Sequence, residues 1–355
     1  MSAEPIAFAE SGVATLFIGS GRFGLPTLEL LRQLPAIRLV GVVTAPPRPA
    51  GRGERMRRSP VAERAAALGI GPVLEPERVR DPSSLAEIVA LKPALVVLAD
   101  YGQMLPAALL ELPIHGALNL HPSLLPRHRG ASPIPAAILA GDRETGVTLM
   151  VMEAGLDSGP IVAQLALPLD GTETAPQLET RLALAGASLL REVLPGWLAG
   201  AHRPRPQPQT GITLTRALRR EDGRLDPARA AVSLERQVRA YQPWPGTWAE
   251  TPAGRLIVWS ARPLTLGAAV IAGHSPAGAP AGRAALGERV GGGSDAGETL
   301  GLVVPDDDGL AVLVADGALR LDEVQLGGGR RMPASDLRRG HPELVGSRLG
   351  RPTIQ

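Results

Sequence analysis

The sequence of 355 residues contains no cysteine, and of its 37 basic residues one is lysine, Lys92, while the rest are arginine. The absence of cysteine excludes disulfides, thiol nucleophiles and cysteine-based zinc sites, and it fits a reducing compartment. No apolar run approaches the roughly 20 residues that cross a membrane, and the acidic start at Met1–Gly12 is unlike a secretory or transit peptide. The composition therefore predicts a soluble cytoplasmic protein with no membrane partner.

The remaining composition is that of an ordinary globular protein, with 44% hydrophobic and 20% charged residues. The length exceeds that of a usual single domain and predicts two domains. Charge is distributed unevenly: residues 1–200 carry 17 basic and 19 acidic residues, net −2, whereas residues 201–355 carry 20 and 16, net +4. The concentration of positive charge in the second part indicates a polyanionic partner.

The first 200 residues alternate between short apolar runs and helix-like stretches. Runs rich in Val, Leu and Ile predict strands at Ala14–Gly19, Arg38–Val43, Ala94–Ala99, Ala117–Leu120 and Gly146–Met152. A longer helix is predicted over Ala175–Leu198. This alternation predicts an α/β fold, a doubly wound, mostly parallel Rossmann-like sheet with helices between its strands.

The second part begins with a proline-rich stretch, Arg203–Gln209, which predicts a stiff, extended linker. After a helix at about Ala228–Tyr241, several short strands and few helices indicate a small β-barrel of the OB type. The Gly/Ala-rich Gly267–Gly297 has the composition of an insertion. We therefore predict a catalytic domain over 1–200, a basic linker over 201–213 and a β-barrel domain over 214–355.

Three polar residues of the first domain form the strongest candidate site. Asn119 and His121 are two residues apart on a predicted strand, so their side chains point to the same side, at the carboxyl end where open α/β sheets bind ligands. Asp157 follows the next strand, in a loop between two glycines. Acyl transfer to an amine needs an oxyanion donor, a proton shuttle and a proton acceptor, which an amide, an imidazole and a carboxylate supply. Taken singly, each residue also has a structural explanation.

Two other patterns indicate different chemistry. Gly19–Gly24 fits the dinucleotide fingerprint, but the second strand ends without an acid for the ribose, and the first acid after it is Glu54. The alternative is a glycine-rich turn that brings the first helix close to its strand. His115, His121 and His128 are spaced by six and seven residues, which matches no helix face, and we predict no metal site.

Arginines cluster in the loop Arg48–Arg58, which holds five of them and one acid. Guanidinium groups on a glycine-containing loop suit contacts to nucleic-acid phosphates, and a solvated surface loop is the alternative. The second part carries the dyads Arg219-Arg220, Arg330-Arg331 and Arg338-Arg339. Together with the basic linker, these dyads predict a stripe that binds nucleic acid.

Several stretches of the chain resemble methionyl-tRNA formyltransferases. In the first part these are Asn119–Ile134, Gly141–Met150 and Met152–Gly159, with the core Asn-Leu-His-Pro-Ser-Leu-Leu-Pro and the loop Gly-Leu-Asp-Ser-Gly. The other matching stretches are Thr44–Pro60, Arg220–Asp226, Tyr241–Pro245 and Gln325–Asp336. The resemblance extends from about Thr15 to Leu349 and implies a formyltransferase domain followed by a tRNA-binding domain.

The resemblance also implies substrates and residue roles. The co-substrate would be 10-formyltetrahydrofolate, the acceptor would be initiator methionyl-tRNA, and neither a metal nor a protein partner is implied. The implied folate-binding residues are Met104, Leu105, Ser123, Leu124, Leu125 and Pro126. The implied tRNA-binding residues are Arg48, Arg52, Arg55, Arg216, Arg219 and Arg220. The chain departs from the family at Ala217, where a lysine is usual.

Three other functions are compatible with parts of this pattern. A formyltransferase acting on an amino-sugar nucleotide would share the first domain and the donor but would not need a basic second domain. An NAD(P)-dependent oxidoreductase would depend on the turn at Gly19–Gly24. An RNA-binding module without catalysis is disfavoured by the intact Asn119, His121 and Asp157.

Overall fold

A computed structural model describes residues 12–50, 55–264 and 299–349. The chain divides into two compact units, of which the first comprises Met1–Ala137, Arg143–Asp170 and Gln177–Ala217. The second unit comprises Ile138–Asp142, Gly171–Pro176 and Leu218–Gln355. Arg52 and the predicted insertion Gly267–Gly297 lie outside the described residues.

The first unit is built on a seven-stranded sheet with helices between its strands. Its strands are β1 (Val13–Gly19), β2 (Ile37–Val43), β5 (Val73–Leu74), β6 (Leu95–Ala99), β7 (Ala117–His121), β9 (Glu144–Val151) and β10 (Ile161–Pro168), in the order β10-β9-β7-β6-β1-β2-β5. Two small pairs accompany it, β3 (Arg48–Ala50) with β4 (Arg55–Arg57) and β8 (Arg129–Gly130) with β11 (Leu214–Thr215). The helices of the N-terminal part are α1 (Leu25–Gln33), α2 (Pro60–Ala67), α3 (Pro82–Ala90), α4 (Ala107–Glu111), α5 (Pro133–Ala140) and α6 (Ala175–Leu198).

Burial explains why the central strands are continuous apolar runs. Every residue of β6, Leu-Val-Val-Leu-Ala, is buried, because helices cover both faces of a parallel sheet. β1 pairs in parallel with β2 and β6, and β6 pairs in parallel with β7. Leu16, Ile18, Val96 and Leu98 meet in one core cluster on this sheet. The predicted α/β class of the first domain is confirmed.

One end of the sheet differs from the predicted pattern. β9 runs antiparallel to β7 and to β10, so that the last three strands are not a parallel extension. β10 is a strand that the sequence analysis did not identify. Its sequence, Ile-Val-Ala-Gln-Leu-Ala-Leu-Pro, is largely apolar, but after the buried Ile161 its residues are half-buried or exposed at the sheet edge.

The glycine-rich turn after β1 is explained by close packing. A Cβ atom at Gly24 would lie 2.9 Å from the carbonyl oxygen of Ala99 and 3.1 Å from the Phe17 ring, and a Cβ atom at Gly19 would collide with the same carbonyl. The glycines therefore let the start of α1 approach β1 and β6. This geometry accounts for the Gly-x-Gly-x-x-Gly spacing by packing alone.

The second unit contains an antiparallel sheet. Its strands are β12 (Thr247–Thr251), β13 (Gly254–Leu264), β14 (Val303–Asp306), β15 (Gly309–Val314), β16 (Gly317–Leu326) and β17 (Met332–Pro333), in the order β12-β13-β16-β15-β14 with β17 paired to β16. Helices α7 (Ala231–Ala240) and α8 (Ala334–Gly340) accompany the sheet. Leu234 and Val238 of α7 share a core with Val258 and Leu319. The predicted order, a Rossmann-like domain followed by a domain of antiparallel strands, is confirmed.

No helix among the described residues is long and apolar enough to span a membrane.

Candidate active site

The candidate site lies where β7 ends. Asn119 and His121 stand on this strand, His121 as its last residue, and both line a cavity of about 390 Å³ in the first unit. Asp157 lines the same cavity from the loop between β9 and β10. The structure therefore brings together the three residues that the spacing placed at one sheet edge.

One hydrogen bond fixes the tautomer of the neutral His121 ring. Its Nε2 atom lies 2.9 Å from the backbone oxygen of His128, and its Nδ1 atom lies 3.6 Å from Oδ2 of Asp157. A carbonyl oxygen only accepts, so Nε2 carries the proton of the neutral ring and Nδ1 is left as the basic atom. The same Oδ2 of Asp157 accepts a hydrogen bond from the backbone N–H of Gly130 at 2.8 Å. The imidazole is therefore arranged to gain a proton on the side that faces a carboxylate.

Burial is the main influence on the acidity of His121. It lowers the pKa of the imidazole below its ordinary value, and the negative charge of Asp157 acts in the opposite direction. His121 is 5% exposed. The neutral imidazole thus prevails near pH 7, which is the form that accepts a proton.

Asn119 has a different environment. Its side chain is half-buried at the cavity wall, and within the described residues its amide makes no hydrogen bond. The N–H groups of this amide are therefore available to a bound ligand.

The segment from Ser123 to Pro126 lies behind the cavity wall. Thr148 Oγ1 donates to the Ser123 oxygen at 2.7 Å and accepts from the Leu125 N–H at 3.0 Å. Gln164 Nε2 donates to Thr148 Oγ1 at 2.9 Å and to the Leu125 oxygen at 3.0 Å. Ser123 and Leu125 are buried. The predicted folate-binding residues Ser123, Leu124, Leu125 and Pro126 are not among those that line the cavity, whereas Met104 and Leu105 are.

Three acidic residues that line the cavity, Asp100, Glu153 and Glu179, were not predicted. Asp100 and Glu179 line it together with Tyr101. Although Asp100 is accessible from the cavity, desolvation by the surrounding protein raises the pKa of its carboxyl. Desolvation, followed by the charge of Asp100, raises the pKa of Glu179. Glu179 lies far along the chain, on α6, and no local pattern connects it with the site. Only the fold shows that Glu179 lies in the cavity.

Gly130–Pro135 form another part of the cavity wall that was not assigned a role. Gly130–Ile134 belong to the stretch Asn119–Ile134 that carries the resemblance, and this was the signal available in the sequence. Within the described residues no group of three or more His, Cys, Asp or Glu is placed to hold a metal ion.

Strands β3 and β4, which lie in the arginine-rich stretch of the first unit, pair antiparallel. Arg48 is exposed and pairs with Glu77 at 2.7 Å, whereas Arg55 is exposed on β4. Arg58 pairs with Glu75, also at 2.7 Å. Arg216 is exposed near the end of the first unit. Accessible guanidinium groups of this kind can reach phosphates without first being uncovered.

Exposed arginines also mark the second unit. Arg219 and Arg220 are exposed at a short 3-10 helix. The guanidinium of Arg331 lies 3.3 Å from the ring centroid of Trp259, and that of Arg255 lies 4.1 Å from the centroid of Trp248. Stacking on indole holds the planar cations in place while they stay charged.

Comparison with known proteins identifies the family. The model of the formyl transferase family matches residues 13–194, and that of the formyl transferase C-terminal domain matches residues 217–342. A methionyl-tRNA formyltransferase of Roseiflexus castenholzii is 41% identical over 335 residues, which cover 94% of this chain and 98% of the relative. This chain belongs to the methionyl-tRNA formyltransferase family. The family member of Myxococcus xanthus is 39% identical over 94% of this chain and 96% of its own length.

Solved structures related to this family member share its fold. The N-formyltransferase of Helicobacter canadensis, in complex with folinic acid and dTDP-3-aminofucose, has a TM-score of 0.57 at 14% identity and covers 90% of this chain and all of its own, 100%. HypX of Aquifex aeolicus, in complex with tetrahydrofolic acid, has a TM-score of 0.56 at 18% identity, over 94% of this chain and 48% of its own. At these identities the likeness establishes a common fold.

Proposed function

We propose that this protein transfers the formyl group of 10-formyltetrahydrofolate to the α-amine of initiator methionyl-tRNA. One observation carries the proposal. In a chain of this family, Nδ1 of His121 lies 3.6 Å from Oδ2 of Asp157, and both residues line a cavity of about 390 Å³. A volume of this size is in the range of small-molecule sites. A donor used in one-carbon transfer and an acceptor used in translation agree with the predicted cytoplasmic location.

The reaction needs little activation of its nucleophile. An α-amine titrates near pH 8, roughly, so a useful fraction is neutral at cellular pH. A bond forms between the amine nitrogen and the formyl carbon, and the bond from that carbon to the folate nitrogen breaks. The amine gives up one proton and the folate nitrogen gains one, so the transfer is balanced without any oxidant or metal.

Asn119 and His121 have different roles in this reaction. The Asn119 amide, which has no hydrogen bond within the described residues, donates to the oxygen that becomes negative in the tetrahedral intermediate, a contribution of about 3 kcal/mol for one well-placed donor. The Nδ1 atom of His121 accepts the amine proton and returns it to the leaving nitrogen. While that proton resides on His121, the Asp157 carboxylate stabilises the imidazolium, and the resulting Nδ1–H can also donate to the oxyanion.

The donor occupies the cavity on this proposal. Met104 and Leu105 contact it directly, because they line the cavity. Ser123, Leu124, Leu125 and Pro126 shape the site from behind, through the backbone that connects them to His121.

The acceptor is bound through arginine. Arg48, Arg52, Arg55 and Arg216 would contact it from the first unit, and Arg219 and Arg220 from the second. These residues fit a polyanionic acceptor because the described ones are exposed and charged. We assign catalysis to residues 1–200 and tRNA binding to 214–355, with 201–213 between them.

The deciding experiment offers the purified protein formyltetrahydrofolate and initiator tRNA charged with methionine, and then looks for formylmethionine after hydrolysis of the ester. An amino-sugar nucleotide is the parallel acceptor, because sugar N-formyltransferases share the fold. Formylmethionine in the first reaction and no product in the second is the expected result. Formylation of the sugar nucleotide alone would replace this proposal with the other acceptor.

A further inference from the structure

The proline-rich segment that the sequence presents as a linker contacts the candidate active site. Arg205 bridges to Ile161 through two backbone hydrogen bonds of 2.7 and 2.8 Å. Farther along, Thr213 Oγ1 accepts from the N–H of His128 at 2.7 Å. The segment 205–215 therefore packs along the loops that hold the acid–base pair.

Gln207 is the buried amide of this segment, 5% exposed. Its Nε2 atom donates to the backbone oxygens of Asp157 and Gly159, both at 2.8 Å. Its Oε1 atom accepts from Nε and Nη2 of Arg129 at 3.0 and 2.7 Å. Carbonyl oxygens only accept and a guanidinium only donates, so these four bonds allow one orientation of the amide. The oxygen of the Gln207 amide thus accepts two hydrogen bonds, and its NH₂ group donates two.

The neighbours of Gln207 restrict its backbone. Pro206 and Pro208 stand on either side of it. Each proline fixes its own φ, and the second also biases Gln207 toward an extended conformation. The side chain is therefore presented to the loops from a backbone with few alternatives.

Asp157 depends on such support. Its φ of +47° lies in the left-handed region, which is unfavourable for a residue that has a side chain. Gly130 N–H holds its carboxylate, and Gln207 holds its backbone oxygen. Gln207 also binds Arg129, the residue before Gly130. One side chain thus connects the two loops that together orient the carboxylate.

We infer that Gln207 is a positioning residue that holds the Asp157 carboxylate at its working distance from His121. The inference rests on the proposed function only in so far as His121 and Asp157 act in formyl transfer. The geometric part, the placement of one side chain by another, is independent of the substrate.

The titration of His121 separates positioning from a merely structural role. Burial lowers the pKa of His121, the charge of Asp157 and the hydrogen bond to the His128 oxygen raise it, and the charge of the His128 ring lowers it. Displacement of Asp157 removes a raising influence, so His121 should titrate at lower pH. Loss of stability alone would leave the titration of the folded protein unchanged.

The main variant is Gln207→Met, which keeps the length of the side chain and removes all four hydrogen bonds. Its matched control is Gln209→Met, because Gln209 is exposed in the same segment. We expect kcat to fall about 100-fold in the first, the effect of a misplacement near 1 Å, and to stay at the wild-type value in the second. NMR of labelled histidine should show His121 titrating at lower pH in Gln207→Met without substrate.

A second variant, Gln207→Glu, can still accept from Arg129 but as a carboxylate cannot donate to Asp157 or Gly159. It should lose kcat as Gln207→Met does. Full activity in Gln207→Glu would mean that the contact with Arg129 is what counts, and the inference would be overturned. Because it retains the Arg129 bonds, this variant also tests the idea if Gln207→Met does not fold.

Two further results would contradict the inference. One is a kcat within twofold of wild type together with an unchanged His121 titration in Gln207→Met. The other is a loss of kcat that only follows the folded fraction, measured by circular dichroism, with an unchanged titration. If the wild-type protein shows no transfer at all, the proposed function fails, while the titration still reports whether Gln207 positions Asp157.

Discussion

The two units of this protein differ in the solvent exposure of the polar residues that we assign to function. In the first unit His121 is buried, bonded to the His128 oxygen and faced by Asp157, and burial lowers its pKa. In the second unit Arg331 lies exposed on Trp259 and keeps its charge in contact with water. A histidine that accepts a proton must be neutral beforehand, and desolvation favours that form, whereas binding of a polyanion needs charge that solvent and ligand can reach. The comparison predicts that equal substitutions should have unequal effects in the two units.

The largest difference is expected between histidines. His121→Ala and Asp157→Asn should each lower kcat by about 10²- to 10⁴-fold, the usual range for loss of a general acid–base group. His341→Ala in the second unit is the control, because this half-buried histidine pairs with the exposed Glu343. Single-turnover formylation with saturating substrates measures the effect. Near-normal rates in His121→Ala would exclude it from proton transfer.

An intermediate difference is expected between two threonines with similar bonds. Thr148→Val leaves the Ser123 oxygen and the Leu125 N–H without their bonds in a buried site, and it should cost about 1–3 kcal/mol of unfolding free energy. Thr251→Val removes bonds to Gly254 and Ala253 in an exposed turn of the second unit, where water can replace them. Urea unfolding of both variants gives the comparison. Equal losses would show that burial does not distinguish the two sites.

The smallest effect is expected from single exposed arginines. Arg55→Ala should raise KM for methionyl-tRNA a few-fold, leave KM for the folate donor unchanged, and reduce the slope of log K against log salt by about one. Arg64→Ala removes the same charge from α2, where it pairs with Glu29. It is therefore the control. Equal effects of Arg55→Ala on both substrates would place the loop in the active site generally rather than on the tRNA.

Strong local patterns in the sequence predicted much of the fold. The helix Ala175–Leu198 has the predicted limits, and β6 and β7 lie within one residue of prediction. β9 was identified as a strand, but its antiparallel direction was not, because strand direction depends on pairing rather than on the residues of the strand. The site shows the same division. Asn119, His121 and Asp157 carried local signals, whereas Glu179 and Gln207 reach it from distant segments.

The sequence by itself determined which reacting groups this protein has and to which family it belongs. Without cysteine, and with Asn119, His121 and Asp157 in their motifs, it defined an amide, an imidazole and a carboxylate as the reacting set. Only the tertiary structure decided how these groups behave. Burial makes His121 a neutral base, and Gln207, in a segment that reads as a linker, binds the backbone oxygen of Asp157. Desolvation and contacts between distant segments arise only when the chain folds, so no local sequence pattern predicts them.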